Sequence, residues 1–233
     1  MIPSVVIATP FYQSQCFTNY LNSLLVTVRV LDKLGVENDH MALVGDSYID
    51  RARNTIVARF LYDPLYAKYD RLFFIDSDMR WDTTGFIKVL SSPYDFTGAA
   101  YPMKNRWGDF SVRHLVNDDR TPVVTADGYI ESVLVPGGFM CLSRACLQDL
   151  CSHYKDMVYR DTNSGYDGMV VNLFENKVVN NGRMGEDSSF CVKWSNMGRK
   201  IYCWPDVDMG HMGVKEWSGN YHETLLSQPR PGE

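Results

Sequence analysis

Four consecutive large apolar residues, Leu72-Phe73-Phe74-Ile75, run straight into Asp76-Ser77-Asp78. An unbroken apolar run of strand length, ended abruptly by charge, is the pattern of a central strand buried on both faces of a parallel sheet. Both faces then need covering by helices, so this stretch commits the chain to a layered α/β arrangement. Open α/β sheets bind ligands just beyond the carboxyl ends of their strands. Asp76 and Asp78 leave the sheet there, close enough to share one hard cation. Mg²⁺ and Mn²⁺ take oxygen ligands and bridge to substrate phosphate. The plainer alternative makes the two acids caps of the next helix, but Asp82, followed by Thr83 and Thr84, suits that task better.

The elements on either side alternate. Val5–Ala8 predicts a first strand ending in Thr9-Pro10. Ser14 takes a helix N-cap position, and Phe17, Leu21, Leu24, Val28, Leu31 and Leu34 recur at helical spacing up to Gly35. Met41–Val44 predicts a second strand. Ser47 and Asp50 have capping-box spacing for a helix reaching about Tyr62, where Asp63-Pro64 stops it. In that helix Ile49, Ala52, Ile56 and Phe60 take the core face, while Arg51, Asn54 and Thr55 share another. The order strand–helix–strand–helix–strand up to Asp78 predicts a βαβαβ half of the nucleotide-binding kind.

Beyond Asp82 come a short helix to about Leu90, a strand over Asp95–Tyr101, and a basic, aromatic loop over Pro102–Leu115 carrying Lys104, Arg106, Trp107 and Arg113. Asp127-Gly128 marks a hairpin turn. Gly137-Gly138 precedes a strand over Phe139–Leu142, and Ser143 caps a helix to about His153. Residues 154–182 predict loop with a short hairpin, Glu186–Met197 a helix, and Lys200–Trp204 the last strand. From Pro205 onward periodicity is weak. His211 lies between glycines in an expected constrained loop, and PRPGE reads as a frayed tail.

The 233 residues, 45% hydrophobic and 22% charged, suit one α/β domain. A net charge of −5 gives no overall electrostatic argument for nucleic acid or an anionic membrane. No apolar run is long enough to span a bilayer, and MIPSVVIATP lacks the basic and apolar regions of a signal peptide. Cys16, Cys141, Cys146, Cys151, Cys191 and Cys203 form no CxxC pair. They point to buried thiols rather than disulfides or zinc, hence to a reducing, cytoplasmic compartment.

Three further groups can carry chemistry. Glu186-Asp187 opens a helix, either complementing its dipole or presenting a general base. His211 is either a structural group or a third ligand beside two carboxylates. Arg51 with Asn54 is either a solvated face or a contact to a diphosphate or base, since a guanidinium fork matches phosphate oxygens.

In chain order, Ala8-Thr9-Pro10, Ser47 with Arg51-Ala52-Arg53-Asn54, Phe74-Ile75-Asp76-Ser77-Asp78, Gly137-Gly138-Phe139-Met140, Gly185-Glu186-Asp187 and Gly210-His211 together resemble the GT-A class of nucleotide-sugar glycosyltransferases. The match is nearest to small members similar to glycosyltransferase family two of bacteria and bacteriophages. The resemblance implies an α/β GT-A fold: a Rossmann-like, mostly parallel sheet flanked by helices, with a small antiparallel hairpin. It implies one domain over 1–233, with a nucleotide-binding half in 1–101 and an acceptor half and tail in 102–233.

The implied metal is Mn²⁺ or Mg²⁺ on Asp76, Asp78 and His211, with Asp78 the stronger ligand and Asp76 nearer the ribose. Asp187 matches the base of inverting members, with Glu186 as the neighbour able to replace it. Thr9, Pro10 and Tyr12 would lie against the nucleotide, joined by Ser47, Arg51, Asn54 and Ser77, and Asp46 is the candidate for holding a uracil. The implied donor is a nucleotide sugar, a UDP-sugar by preference. The acceptor is a glycan, a protein hydroxyl or, for a viral source, a hydroxymethylpyrimidine in DNA whose phosphates Lys104, Arg106 and Arg113 would touch. Trp107, Trp217 and their loop would close over the sugar. The rival readings are a phosphohydrolase of the haloacid dehalogenase type with Asp76 as nucleophile and a non-catalytic carbohydrate-binding module.

Overall fold

A computed structural model of the chain describes residues 1–162 and 166–227. Its strands are β1 (Val5–Phe11), β2 (Asn38–Val44), β3 (Arg71–Ile75), β4 (Met79–Trp81), β5 (Phe96–Gly98), β6 (Arg113–His114), β7 (Ile130–Leu134) and β8 (Phe139–Ser143). They continue with β9 (Val158–Asp161), β10 (Gly168–Val171), β11 (Lys177–Val179), β12 (Gly182–Met184), β13 (Ile201–Cys203), β14 (Asp208–Met212) and β15 (Glu216–Asn220). The helices are α1 (Thr18–Lys33), α2 (Ile49–Tyr62), α3 (Thr83–Leu90), α4 (Arg144–His153), α5 (Glu186–Asn196) and α6 (Tyr221–Ser227).

The main sheet runs β2-β1-β3-β8-β5-β13-β7-β6. β1 is parallel to β2 and β3, and β5 to β13. β8 opposes β3 and β5, while β7 opposes β13 and β6. Six of the eight strands therefore point one way, so the sheet is mostly parallel. Every residue of β3 is buried. Leu72 and Phe74 face α2, α4 and α5, packing with Ile56, Leu147 and Phe190. Phe73 and Ile75 face α1 and α3, packing with Tyr20, Leu31 and Phe86. This alternation is the pleat's own period, and each such side chain contributes about 1.5–3 kcal/mol on burial.

Several local expectations give way to tertiary contacts. Ser14 does not cap α1; it sits at φ 57° in a turn over Tyr12–Ser14, and α1 starts at Thr18. The buried face of α1 is Tyr20, Ser23, Leu24, Thr27 and Leu31, leaving Phe17, Leu21 and Leu34 exposed. Trp81 decides this rotation: its indole Nε1 donates to Thr27 Oγ1 at 2.9 Å, and Ser23 Oγ donates to its carbonyl at 3.0 Å. The capping box expected at Ser47 is absent, α2 beginning after Tyr48 with no side-chain cap, and Ile49 is exposed. Asp82 and Ser143 do cap α3 and α4, accepting from Gly85 N and Cys146 N.

Residues 205–227 hold more order than their weak periodicity predicts. β14 and β15 form a three-stranded sheet with β4, and α6 follows. The PRPGE segment lies outside the described residues. All six cysteines are free, five of them buried and Cys16 exposed. Among the described residues no helix is long and apolar enough to cross a membrane.

Candidate active site

The three-residue link from β3 to β4 holds Asp76, Ser77 and Asp78 at the carboxyl end of the central strand. Its backbone is pinned from three sides. Asp76 N donates to Gly138 O at 3.2 Å, Phe17 N to Ser77 O at 3.1 Å, and Met212 N to Asp78 O at 2.7 Å. Antiparallel pairing of β4 with β14 sets His211 opposite Met79, so His211 belongs to a strand rather than to the expected loop. Gly210 makes the register possible. A Cβ there would collide with the Glu216 carboxylate and stand 2.9 Å from Arg80 Nε. Arg80 reaches Glu216 at 2.5 Å and Asp208 at 2.9 Å, tying the three strands together.

His211 Nδ1 lies 3.0 Å from the Pro102 carbonyl, which can only accept, so Nδ1 carries the proton. Nε2 then faces Asp78 Oδ2 at 3.5 Å. Lys104 Nζ stands 2.5 Å from the same oxygen. Burial pushes the Asp78 carboxyl up, but its contacts with His211 and Lys104 outweigh burial and hold it below the usual carboxylate range.

Asp76 turns the other way. Arg53 Nη2 donates to both of its oxygens, at 2.8 and 3.0 Å. Arg53 is 2% exposed, approaches Glu186 Oε1 at 3.9 Å, and keeps Nε and Nη1 without a hydrogen-bond partner. Burial drives the Asp76 carboxyl above its ordinary value, and Arg53 only partly offsets it. Glu186 is likewise raised by burial, with Arg53 opposing and Asp187 adding to the shift.

Gly137-Gly138 is more than a strand breaker. A Cβ at Gly137 would stand 2.5 Å from Arg53 Cζ, and one at Gly138 would stand 2.7 Å from the Tyr101 hydroxyl oxygen and 2.9 Å from Asp76 Oδ2. Asp187, at the start of α5, receives a hydrogen bond from Gly137 N at 3.4 Å and one from Ser188 N at 2.6 Å. Its negative charge also acts on Asp76, Tyr101 and Arg53. The acids of the β3–β4 link and of α5 therefore act on one buried arginine.

The sequence-predicted nucleotide residues divide. Pro10, Tyr12, Asp46 and Ser47 line a hollow of about 240 Å³, and Tyr12, Ser77 and Asp78 line an adjoining one of about 300 Å³ that also includes Cys16 and Phe17. Thr9 does not reach either; it is fully buried and shares a 2.6 Å hydrogen bond with the Tyr20 hydroxyl. Asp46, the candidate for a uracil, has a buried carboxylate. Arg51 Nε and Nη2 clamp it at 2.8 and 2.7 Å and Tyr48 N adds a third bond, so a base meets no open edge there. Arg51 is thereby engaged as well.

Asn54 lines a separate hollow of about 230 Å³ with Arg51 and Tyr48, and it also has a structural task. Its amide donates to Asn172 Oδ1 and Phe174 O, and its carbonyl accepts from Leu173 N and Phe174 N, fastening that segment to α2. The residue that sequence reasoning passed over is Arg53. An arginine three and four positions before the apolar Ile56 and Val57 lies in a helix's buried face, and that signal requires a buried carboxylate partner.

A divalent cation was expected on Asp76, Asp78 and His211 together. Among the described residues no group of three His, Cys, Asp or Glu side chains is arranged to hold one. Arg53 occupies both oxygens of Asp76. Asp78 with His211 does fit a partial donor set. One ring nitrogen is fixed by a backbone carbonyl, as in metal-binding histidines, and a phosphate-bridging Mg²⁺ or Mn²⁺ needs only one or two protein ligands.

No family model matches the chain, and no curated protein matches it in sequence. Solved structures do match in fold. A197 from STIV is 16% identical at a TM-score of 0.53, with 90% of this chain and 86% of that one covered. GalNAc-T7 in complex with UDP, GalNAc and Mn²⁺ is 11% identical at a TM-score of 0.55. The chain has a GT-A fold. The match to GalNAc-T7 covers 91% of this chain but 44% of that one, so the GT-A unit here spans less than half of its length. At such identities the likeness carries the fold, and the chemistry has to be argued from the site.

Proposed function

We propose that the chain is a metal-dependent glycosyltransferase that moves a sugar from a nucleoside-diphosphate sugar, by preference a UDP-sugar, to an acceptor hydroxyl with inversion. The observation that carries this reading is the meeting of Asp78 with His211 beside the hollows at Tyr12, while Asp187 stands across Gly137-Gly138 from the same strand end. The complex of GalNAc-T7 with UDP, GalNAc and Mn²⁺ supports it, as a chain of the same fold.

Asp78 and His211 would hold Mn²⁺ or Mg²⁺, which when bound neutralises charge developing on the departing diphosphate. Pro10, Tyr12, Ser47 and Ser77 would line the nucleotide's path, within the donor half formed by residues 1–101. Asp76, fixed by Arg53, would face the ribose rather than the cation. Asp187 would take the proton from the attacking hydroxyl, its carboxylate oriented by Gly137 N and Ser188 N. Glu186, raised by burial and paired with Arg53, would support that position. Residues 102–227 would supply the acceptor side, with the exposed Trp107 and the tethered Trp217 excluding water from the donor.

The phosphohydrolase alternative needs Asp76 as a free nucleophile, and Arg53 on both its oxygens argues against that. Calorimetry of UDP and UDP-sugars with and without Mn²⁺ tests the proposal. Mn²⁺-dependent binding that Asp78→Ala abolishes is the expected result; full Mn²⁺-dependent binding by Asp78→Ala would overturn the assignment.

A further inference from the structure

Lys104 already engages the carboxylate that would help to hold a divalent cation. Its Nζ is 2.5 Å from Asp78 Oδ2, the oxygen that His211 Nε2 approaches at 3.5 Å. The lysine is brought there by a held segment of chain. His211 Nδ1 donates to the Pro102 carbonyl at 3.0 Å and Trp217 Nε1 to the Asn105 carbonyl at 2.9 Å, so β14 and β15 grip the backbone on both sides of Lys104. Its Cδ and Cε run along Gly213, where a Cβ would stand 3.5 and 3.7 Å from them. An ammonium at contact distance from that oxygen disfavours a divalent cation on the same carboxylate, because the two positive charges repel.

We propose that Lys104 is the resident counter-ion of Asp78, displaced when a divalent cation binds, and that it then pairs with the diphosphate of the donor. This rests on the nucleotide-sugar reading of the same site. The side chain is 35% exposed and carries a flexible stem, so it can exchange partners while the backbone stays gripped. Without a nucleotide the lysine holds cation affinity down. With a diphosphate present it gains a new anionic partner, so cation and nucleotide each favour the binding of the other. Lys104 would thus contact the leaving group directly, adding a positive charge that the protein itself supplies.

Titration calorimetry with Mn²⁺ alone, then with UDP at saturating Mn²⁺, separates the steps in wild type, Lys104→Ala, Asp78→Ala and the double variant. Lys104→Ala is expected to bind Mn²⁺ alone roughly threefold to tenfold more tightly, the scale of removing one partly exposed charge pair. It is expected to bind UDP about tenfold more weakly once Mn²⁺ is saturating. The gain in Mn²⁺ affinity should vanish in the Asp78→Ala background. Mn²⁺ affinity in Lys104→Ala equal to or below that of wild type overturns the exchange and leaves the metal site standing. Absence of Mn²⁺ binding by every protein removes the metal site and the lysine's role together.

Discussion

Gly137→Ala is a direct probe of the buried centre. The added Cβ would stand 2.5 Å from Arg53 Cζ and 3.1 Å from Nη2, and closer still to Nη1. The guanidinium has no room to retreat. It is paired with Asp76 at 2.8 Å, and its Cζ lies 5.8 and 5.9 Å from the ring centroids of Phe74 and Phe174. Either the core absorbs the methyl as overpacking, at about 1–3 kcal/mol, or Arg53 is expelled and Asp76 loses its partner, at about 3–5 kcal/mol. The cheaper route prevails, so a loss of about 2–3 kcal/mol is expected. For a chain of this size that lowers Tm by about 4–12 °C in a scan without nucleotide. In an Arg53→Ala background the same methyl enters open space and should cost less than about 1 kcal/mol, a large departure from additivity. A Gly137→Ala protein melting within about 2 °C of wild type, or an equal penalty with and without Arg53, would refute the packing argument.

Asp187→Asn should leave UDP-sugar binding intact and lower transfer by about 10²–10⁴-fold, the range of a lost general base, as read in a turnover assay beside a binding titration; unchanged turnover would remove Asp187 from the role. His114 links pH to stability away from the site. Its ring meets Ser132 Oγ at 3.0 Å and the Tyr221 hydroxyl at 2.8 Å, and burial pushes it down from 6.5 to about 4. The folded value lies below the unfolded one, so the unfolded chain takes the proton first as pH falls. The contribution is complete above about 6.5 and is lost between there and about 4, costing about 2 kcal/mol by pH 5. Urea unfolding at pH 7.5 and 5 should show this loss in wild type and not in His114→Gln; equal pH slopes would sink the assignment.

Local pattern carried a good deal of this molecule. The apolar run of β3, the caps at Asp82 and Ser143, the βαβαβ order and the position of Asp76 and Asp78 at a strand end are all readable, because each depends on neighbours within one pleat or one turn. The same short reach explains the errors. The stripe from Phe17 to Leu34 is genuine periodicity, yet the buried face of α1 is decided by Trp81, which offers two polar partners that no helical wheel contains. Ser47 has the spacing of a cap, but Asp46 and Arg51 organise the entry to α2 through their own ion pair.

What the sequence determined is the set of charged and polar groups and the element each one sits on. What only the tertiary structure decided is which of them meet. Arg53 rather than Arg51 reaches Asp76, because α2 packs against β1 and β2, beside β3, and Gly137 leaves space for a guanidinium. His211 meets Asp78 because β14 pairs with β4, a register set by strands far apart in the chain. Lys104 reaches the same oxygen because two side chains of β14 and β15 grip its backbone. Charges pair according to distance in space, and a one-dimensional pattern records only distance along the chain.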